Sequence, residues 1–345
     1  MKHRLVRSRA PLRLGLAGGG TDVSPYADLF GGVILNASID RFAHVTVERL
    51  AGEQLEFVAA AQGVVWRGST SAPAPDDERV RLHAGVYRRF VRDFNNNAPI
   101  ALRLSSAADS PPGSGLGTSS SLVVAMCEAL RHLLDVPFGP YELAHLAFEI
   151  ERVDLQLAGG RQDQYAAAFG GFNFMEFNKN DSVIINPLRV DRRIVNELEG
   201  SLVTYFTGVS RASAAIIEEQ VRNVDAGASA SIEAMHELKK GAHEMKEALL
   251  RGHIDQVAAL LERGWQAKKQ TAANISSAAI DEIYRAAKAA GALGGKVSGA
   301  GGGGFMMFIC DPPRRPEVLN ALRAFGGNAS PCHFSDRGAE SWRIA

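Results

Sequence analysis

Hydrophobic positions in this chain change period as the sequence proceeds, and each change predicts an element. Alternating apolar residues at Val33 to Ile39, Phe42 to Val47 and Leu55 to Val58 predict short strands joined by hairpin turns, and Ile100, Leu102 and Leu104 predict one more. Val80, Ala84, Tyr87 and Val91 recur at helical spacing and predict a helix over 80–94. Two further helices are predicted at 119–134 and 141–155, the first with Leu122, Ala125, Met126, Ala129 and Leu133 on its apolar face. From 213 to 290 helical spacing dominates, between strand-like runs at Leu202 to Phe206 and Phe305 to Ile309. Residues 72–77 read as an exposed loop and Asn178 to Asp181 as a hairpin turn. Both halves are therefore expected to be α+β, as two domains covering 1–188 and 189–345, with the boundary between Pro187 and Asp191.

Composition narrows the choice of partners. The 345 residues are 46% hydrophobic, enough for a sizeable core. Lys plus Arg and Asp plus Glu each number 38, so the chain lacks the basic surplus of a nucleic-acid binder. Cys127, Cys310 and Cys332 are odd in number and have no paired spacing, which argues against a disulfide framework and for a reducing compartment. The basic start leads into no apolar signal core, and no run is long enough to span a membrane. A cytoplasmic protein with neither nucleic-acid nor membrane partners is expected.

The candidate chemistry lies in glycine-dense segments. Pro112, Gly113, Ser114, Gly115, Leu116, Gly117, Thr118, Ser119 and Ser120 run directly into the apolar periodicity of the 119–134 helix. The N–H groups of a helix's first turn lack intrahelical partners and attract anions, and a cap alone would need only one of these hydroxyls. The segment thus reads as a phosphate cradle, with a nucleotide triphosphate as its guest. It is not a Walker A loop: Gly295-Lys296 is followed by Val297, and Ala290 stands where that motif needs glycine. Nor is Gly299, Gly301 and Gly304 a dinucleotide fingerprint, since a strand-like run follows where a helix must open.

Arg13 leads toward Gly18, Gly19, Gly20, Thr21 and Asp22, where a ligand could approach bare backbone; Asp22 could accept from sugar hydroxyls or cap a helix. Gly299 to Gly304 holds five glycines in six residues, which calls for either a crowded backbone or a ligand. Asp163 follows Gly159-Gly160 between two glutamines and could orient and deprotonate a hydroxyl. Glu151 is open to two readings, a surface ion pair or a metal ligand. Arg9, Arg41, Arg103, Arg161 and Arg211 are candidates for a substrate phosphate, and the turn Thr207 to Arg211 could add N–H donors or be a plain capped turn.

Arg13 to Asp22, Pro111 to Ser120 and Lys296 to Gly304 resemble, in order, the three motifs of the galactokinase, homoserine kinase, mevalonate kinase and phosphomevalonate kinase superfamily, and the resemblance covers nearly the whole chain. Within it, Ala17 to Asp22 and Gly159 to Gly171 are most similar to the D-glycero-D-manno-heptose 7-phosphate kinases. The resemblance implies two α+β domains with the active site in the cleft between them, and ATP and Mg2+ as cofactors. It implies that the middle loop wraps the ATP phosphates, that Ser119 and Glu151 hold magnesium, and that Asp163 and Arg13 are catalytic. The acceptor side is assigned Gly18, Gly19, Gly20, Thr21, Asp22, Gly160, Asp163, Gly301 and Gly302.

The implied reaction phosphorylates the anomeric hydroxyl of a heptose 7-phosphate, giving the 1,7-bisphosphate and ADP for nucleotide-heptose synthesis toward surface polysaccharide. The expected partners are therefore a sugar phosphate and ATP, bound by a monomer or homodimer. Galactokinases carry Gly-Glu-His before the motif-one aspartate and fucose kinases Gly-Trp-Ser-Asp, whereas this chain has Gly20-Thr21-Asp22. Thr118 and Ser120 also stand where Ser and Ala are common in the superfamily. Another sugar 1-kinase and a catalytically silent ATP-binding sugar sensor are the rival readings.

Overall fold

The computed structural model describes residues 5–72, 75–208 and 213–344. The chain opens with β1 (Leu5–Ala17), a short α1 (Tyr26–Phe30) and β2 (Gly32–Arg49), then the hairpin β3 (Gln54–Ala59) and β4 (Val64–Ser69). Next come α2 (Arg81–Phe94), β5 (Leu102–Ala108), α3 (Thr118–Leu133), α4 (Pro140–Glu149), α5 (Gln162–Phe169), β6 (Phe172–Phe177) and β7 (Val183–Pro187). The later part holds α6 (Arg192–Ser201), β8 (Leu202–Phe206), α7 (Ser213–Asp225), α8 (Ser229–Arg251), α9 (Ile254–Lys268), α10 (Ala278–Ala289), β9 (Ala292–Val297) and β10 (Phe305–Cys310). It closes with α11 (Arg315–Arg323), β11 (Asn328–Ser330) and β12 (Glu340–Arg343).

These elements build two sheets. The first has eight strands, ordered β12-β1-β2-β5-β3-β4, with β6 pairing the early part of β2 and β7 pairing β6. The second has four, ordered β11-β8-β10-β9 and antiparallel throughout. The link from β7 to α6 holds the expected boundary region at Pro187 to Asp191, and β12 crosses back from the later part to pair with β1.

Two local predictions need correction. The strands expected at 33–39 and 42–47 are one continuous β2, because β1 pairs with β2 on either side of Asp40-Arg41 and holds the chain extended through it. The helix expected over 141–155 ends as α at Glu149 and continues as a single π turn, Ile150–Asp154. Five strands went unpredicted, β1, β4, β9, β11 and β12, and β6 and β7 were implied only as the arms of the hairpin at Asn178 to Asp181. β9 is broken by Gly294-Gly295, and β1 passes through the arginine and glycine of the first motif.

A register irregularity between Pro11 and Arg13 positions the site. Before it, Val6 and Ala10 of β1 join the core formed with α2 and α3; after it, Leu12, Leu14 and Leu16 join a second core. Along β2 the membership changes at the matching place, with Ile39 in the second core and Ala43 in the first. The second core is shared between the two parts of the chain, since Met245, Leu249, Val257 and Leu261 of α8 and α9 pack into it along with Met307 and Ile309 of β10. With Leu12 and Leu14 turned into that core, strand alternation turns Arg13 to the opposite face.

The packing of α9 on β9 is close enough to test. A Cβ at Gly294 would come within 2.1 Å of the Ala258 carbonyl oxygen. Gly294→Ala is expected to lower stability by about 1–3 kcal/mol through overpacking, read as an earlier urea midpoint; an unshifted midpoint would contradict the packing described.

Candidate active site

The three glycine segments and Asp163 meet around one cavity of about 310 Å³, lined among others by Arg13, Gly20, Asp22, Gly115, Ser119, Glu151, Gly160, Asp163, Lys268, Lys296 and Gly299. Gly113, Gly115 and Gly117 all have φ near +75 to +80°, at 74°, 81° and 76°, which only glycine adopts without strain. Gly117 is the residue before α3, and no side chain caps that helix. The cradle therefore presents an uncapped helix N-terminus, with Thr118, Ser119 and Ser120 in its first turn lining the cavity. Ser114 and Leu116 point inward instead: the Ser114 hydroxyl lies 3.2 Å from the Thr118 hydroxyl, and Leu116 belongs to the shared core. Pro112 is not among the cavity-lining residues.

Arg13 is buried and spans the site. Its Nε and Nη2 lie 2.7 and 2.6 Å from Asp163 Oδ1, and its Nη1 donates to the Gly115 carbonyl at 2.6 Å and to the Ser298 hydroxyl at 3.4 Å. Asp163 is partly exposed to the cavity, and no protein donor among the described residues engages its Oδ2. Glu151 is 1% exposed, so it is not a surface group, although Arg152 Nη1 does lie 3.9 Å from its Oε1. Ser119 donates to Glu151 Oε1 at 3.0 Å, and Gln164 donates to Oε2 at 2.6 Å. The Gln164 Oε1 atom is buried without a hydrogen-bond partner among the described residues.

Asp22 has a saturated carboxylate. Its Oδ2 accepts from the backbone N–H groups of Arg161 and Gln162 at 2.9 and 3.0 Å, while Oδ1 accepts from Gln162 Nε2 and the Gly20 N–H. It thus caps α5 from a distant part of the chain, where the helix's own N-cap residue supplies no side-chain bond. A Cβ at Gly160 would lie 2.0 Å from Asp22 Oδ2, so that glycine makes room for the capping carboxylate. Thr21 braces the same turn through the Gly18 and Val33 carbonyls, and Gly18 packs on Val33; neither lines the cavity.

Gly301 and Gly302 do not face the cavity as expected. Gly302 donates its N–H to the Ile275 carbonyl, and a Cβ on Gly301 would strike Ile275. The rest of the third segment packs on the phosphate cradle: a Cβ at Gly304 would sit 2.3 Å from the Ser114 oxygen, and Phe305 donates its N–H to that same oxygen at 2.8 Å. The run's glycines therefore serve a crowded backbone, with Gly299 and Ala300 alone reaching the cavity wall.

Two lysines were given no role by the sequence reading: Lys268, which it did not name, and Lys296, which it named only as the start of the third motif. Lys268 donates to the Gly19 carbonyl at 2.8 Å and Lys296 to the Gly15 carbonyl at 2.9 Å, both from buried positions on the cavity wall. Burial pushes the Lys268 ammonium down to about 8, with Asp22 opposing and Arg13 adding to the shift. Burial, then repulsion from Lys268 and Arg13, pushes Lys296 down to about 7. The signal for Lys268 was its place on the apolar stripe of α9, following Leu261 and Trp265 at helical spacing. Of the five candidate arginines, Arg9, Arg41 and Arg103 bond Glu340, Ser330, and Glu48 with Glu56, away from the cavity. Arg211, with residues 209–212 of the Thr207 turn, lies outside the described residues.

A glycine cradle at a helix start, an acid held by an arginine and a hydroxyl–carboxylate pair together describe a phosphotransferase. Residues 81–171 match the GHMP kinases N-terminal domain and residues 245–328 the GHMP kinases C-terminal domain. The chain belongs to the GHMP kinase family, as a sugar kinase. It is 41% identical over 341 residues to a protein of Campylobacter jejuni named D-glycero-alpha-D-manno-heptose 7-phosphate kinase, covering 99% of this chain and 100% of that one. The crystal structure of a D-glycero-D-manno-heptose 1-phosphate kinase from Bacteroides thetaiotaomicron is 44% identical, with a TM-score of 0.84 over 99% of both chains. The galactokinase of Lactococcus lactis shares the fold at 18% identity, with a TM-score of 0.74 over 99% of this chain and 95% of that one. No helix among the described residues is long and apolar enough to cross a membrane.

The buried ammonium of Lys296 gives a pH signature. Its pKa falls from 10.5 to about 7 in the folded chain, so between those values the unfolded state binds the extra proton and stability from this group rises with pH. Lys296→Met removes that contribution. The Tm difference, variant minus wild type, is expected to be largest below about pH 7 and to shrink as the pH rises toward 10; a pH-independent difference would contradict a buried charged lysine.

Proposed function

We propose that this chain transfers the γ-phosphoryl group of ATP to the anomeric hydroxyl of D-glycero-D-manno-heptose 7-phosphate, giving the 1,7-bisphosphate and ADP. The observation that carries this reading is the convergence of Asp163, Arg13 and the uncapped start of α3 on one cavity. The named activity of the Campylobacter relative, which matches over its full length, supports the choice of heptose.

In this reading the ATP phosphates lie on the cradle, with the first-turn N–H groups of α3 directed at them. The acceptor's anomeric O–H meets the unengaged Oδ2 of Asp163 and passes its proton there as its oxygen bonds to the γ-phosphorus; the bond from that phosphorus to the bridging oxygen breaks, and ADP leaves. Arg13, which holds Asp163 in place, also puts positive charge where the equatorial oxygens of a loose transition state carry negative charge. Lys268 and Lys296 add to that field from the cavity wall. Asp22 acts by capping α5, which fixes Asp163 in the first turn of that helix.

Ser119 and Glu151 offer hard oxygen donors that would suit Mg2+, and Gln164, itself buried with an unpartnered Oε1, donates to Glu151 and holds that carboxylate in place. Among the described residues no group of three His, Cys, Asp or Glu could hold a metal by itself, in keeping with an ion bound largely through substrate phosphates. Bound there, the ion would supply positive charge against the charge on the phosphates.

An ADP-release assay across sugars and sugar phosphates tests the assignment: turnover of a free hexose with none of heptose 7-phosphate would overturn it. Asp163→Asn is expected to lower kcat by about 10²- to 10⁴-fold with little change in the ATP requirement, and an undiminished kcat would remove Asp163 from proton transfer. Gln164→Leu is expected to raise the Mg2+ concentration for half-maximal rate about 10- to 100-fold. An unchanged Mg2+ titration would argue against metal at Ser119 and Glu151.

A further inference from the structure

Beside the reaction cavity lies a second one of about 470 Å³. The two are continuous, sharing seven wall residues that include Asp22, Arg152, Gly159 and Ile217, whereas Arg13, Ser119 and Asp163 line only the first. The second cavity is therefore an annex that leads away from the reacting atoms.

Three elements each bring a guanidinium group to it: Arg152 from the π turn, Arg161 from the start of α5 and Arg222 from α7. Arg161 is already paired with Asp28 and Asp181 and lies over the Phe148 ring. Arg152 donates from Nε and Nη1 to the Gly160 and Leu157 carbonyls, and Nη1 lies 3.9 Å from Glu151 Oε1, which keeps the fork fixed against Gly159, where a Cβ would come within 2.4 Å of Nη2. Arg222 is exposed, and its side chain has no hydrogen bond or ion pair among the described residues. Two carboxylates also reach the annex, Asp22 and Glu218, and both oxygens of Asp22 are already taken by the N–H donors described above. The balance of the annex is thus cationic, and its least committed cation is Arg222.

We propose that the annex recognises the terminal phosphate of the acceptor, with Arg222 and Arg152 as its cations. This rests on the sugar-phosphate reading above. A seven-carbon sugar 7-phosphate carries its phosphate at the end opposite the anomeric carbon, so with that carbon at Asp163 the phosphate must lie away from the reacting atoms. Guanidinium forks match phosphate oxygens in charge and geometry. Arg13, Lys268 and Lys296 line the reaction cavity, where the transferred phosphoryl group needs them.

The test compares Arg222→Ala, Arg222→Glu and Arg222→Lys with wild type, using heptose 7-phosphate and the same heptose without phosphate. The ratio of kcat/KM for the phosphorylated over the free sugar is expected to fall about 10- to 100-fold in Arg222→Ala, through the sugar KM, further in Arg222→Glu, and to recover partly in Arg222→Lys. Inorganic phosphate should compete with heptose 7-phosphate in the wild type and more weakly in Arg222→Glu. An equal loss on both sugars, an unchanged ratio, or a raised KM for ATP in place of the sugar would overturn the proposal. If the wild type instead prefers another sugar phosphate, the heptose assignment fails and the same ratio, read with that substrate, decides the annex; a wild type that uses only unphosphorylated sugars defeats both.

Discussion

One buried guanidinium holds the site together. Arg13 bonds Asp163 at the start of α5, the Gly115 carbonyl in the phosphate cradle and the Ser298 hydroxyl at the head of the third glycine segment. These partners come from three distant stretches, and the Ser298 hydroxyl closes the figure by donating to the same Gly115 oxygen. A charge taken out of water in this way is tolerated only when its donors are matched, and removing one partner of a buried pair costs about 3–5 kcal/mol. The geometry of the cavity thus depends on the local irregularity in β1 that turns Arg13 away from the shared core.

Much of the fold was legible because its signals are local. The helix after the cradle, the hairpin at Asn178 to Asp181 and the strands at Leu202 and Phe305 each declare themselves through periodicity or turn residues. The cradle and Asp163 were legible for a similar reason, since a glycine-hydroxyl run before an apolar helix has few structural uses. The site's remaining parts depend on contacts far apart in sequence. Asp22 caps a helix that begins at Gln162, and nothing next to Asp22 records that partner. Lys268 looks like an interruption of an apolar stripe until Gly19 is placed against it. Gly301 and Gly302 look like ligand-binding backbone until Ile275 fills the same space.

Glycine does two kinds of work here, and sequence cannot separate them. In both the cradle and the third segment it supplies positive φ, and in both it removes side chains, at Gly115 and at Gly299 and Gly304, so that one loop can lie directly on the other. The second use serves the first. Because Phe305 and Gly304 clamp Ser114, the cradle is backed by the second sheet, and the two parts of the chain hold one rigid wall between them.

The last strand closes an edge that the first strand opens. β12 pairs with β1 from Val6 to Arg9, and Ser341 donates to Glu128 of α3 while Arg343 pairs with Asp135. During synthesis β1 leaves the ribosome hundreds of residues before its edge partner, so the nascent first sheet presents unpaired backbone until β12 is made. The outer rim of the sheet that carries Arg13 thus waits for β12, and until then that stretch of β1 is open to chaperones or to a neighbouring nascent chain.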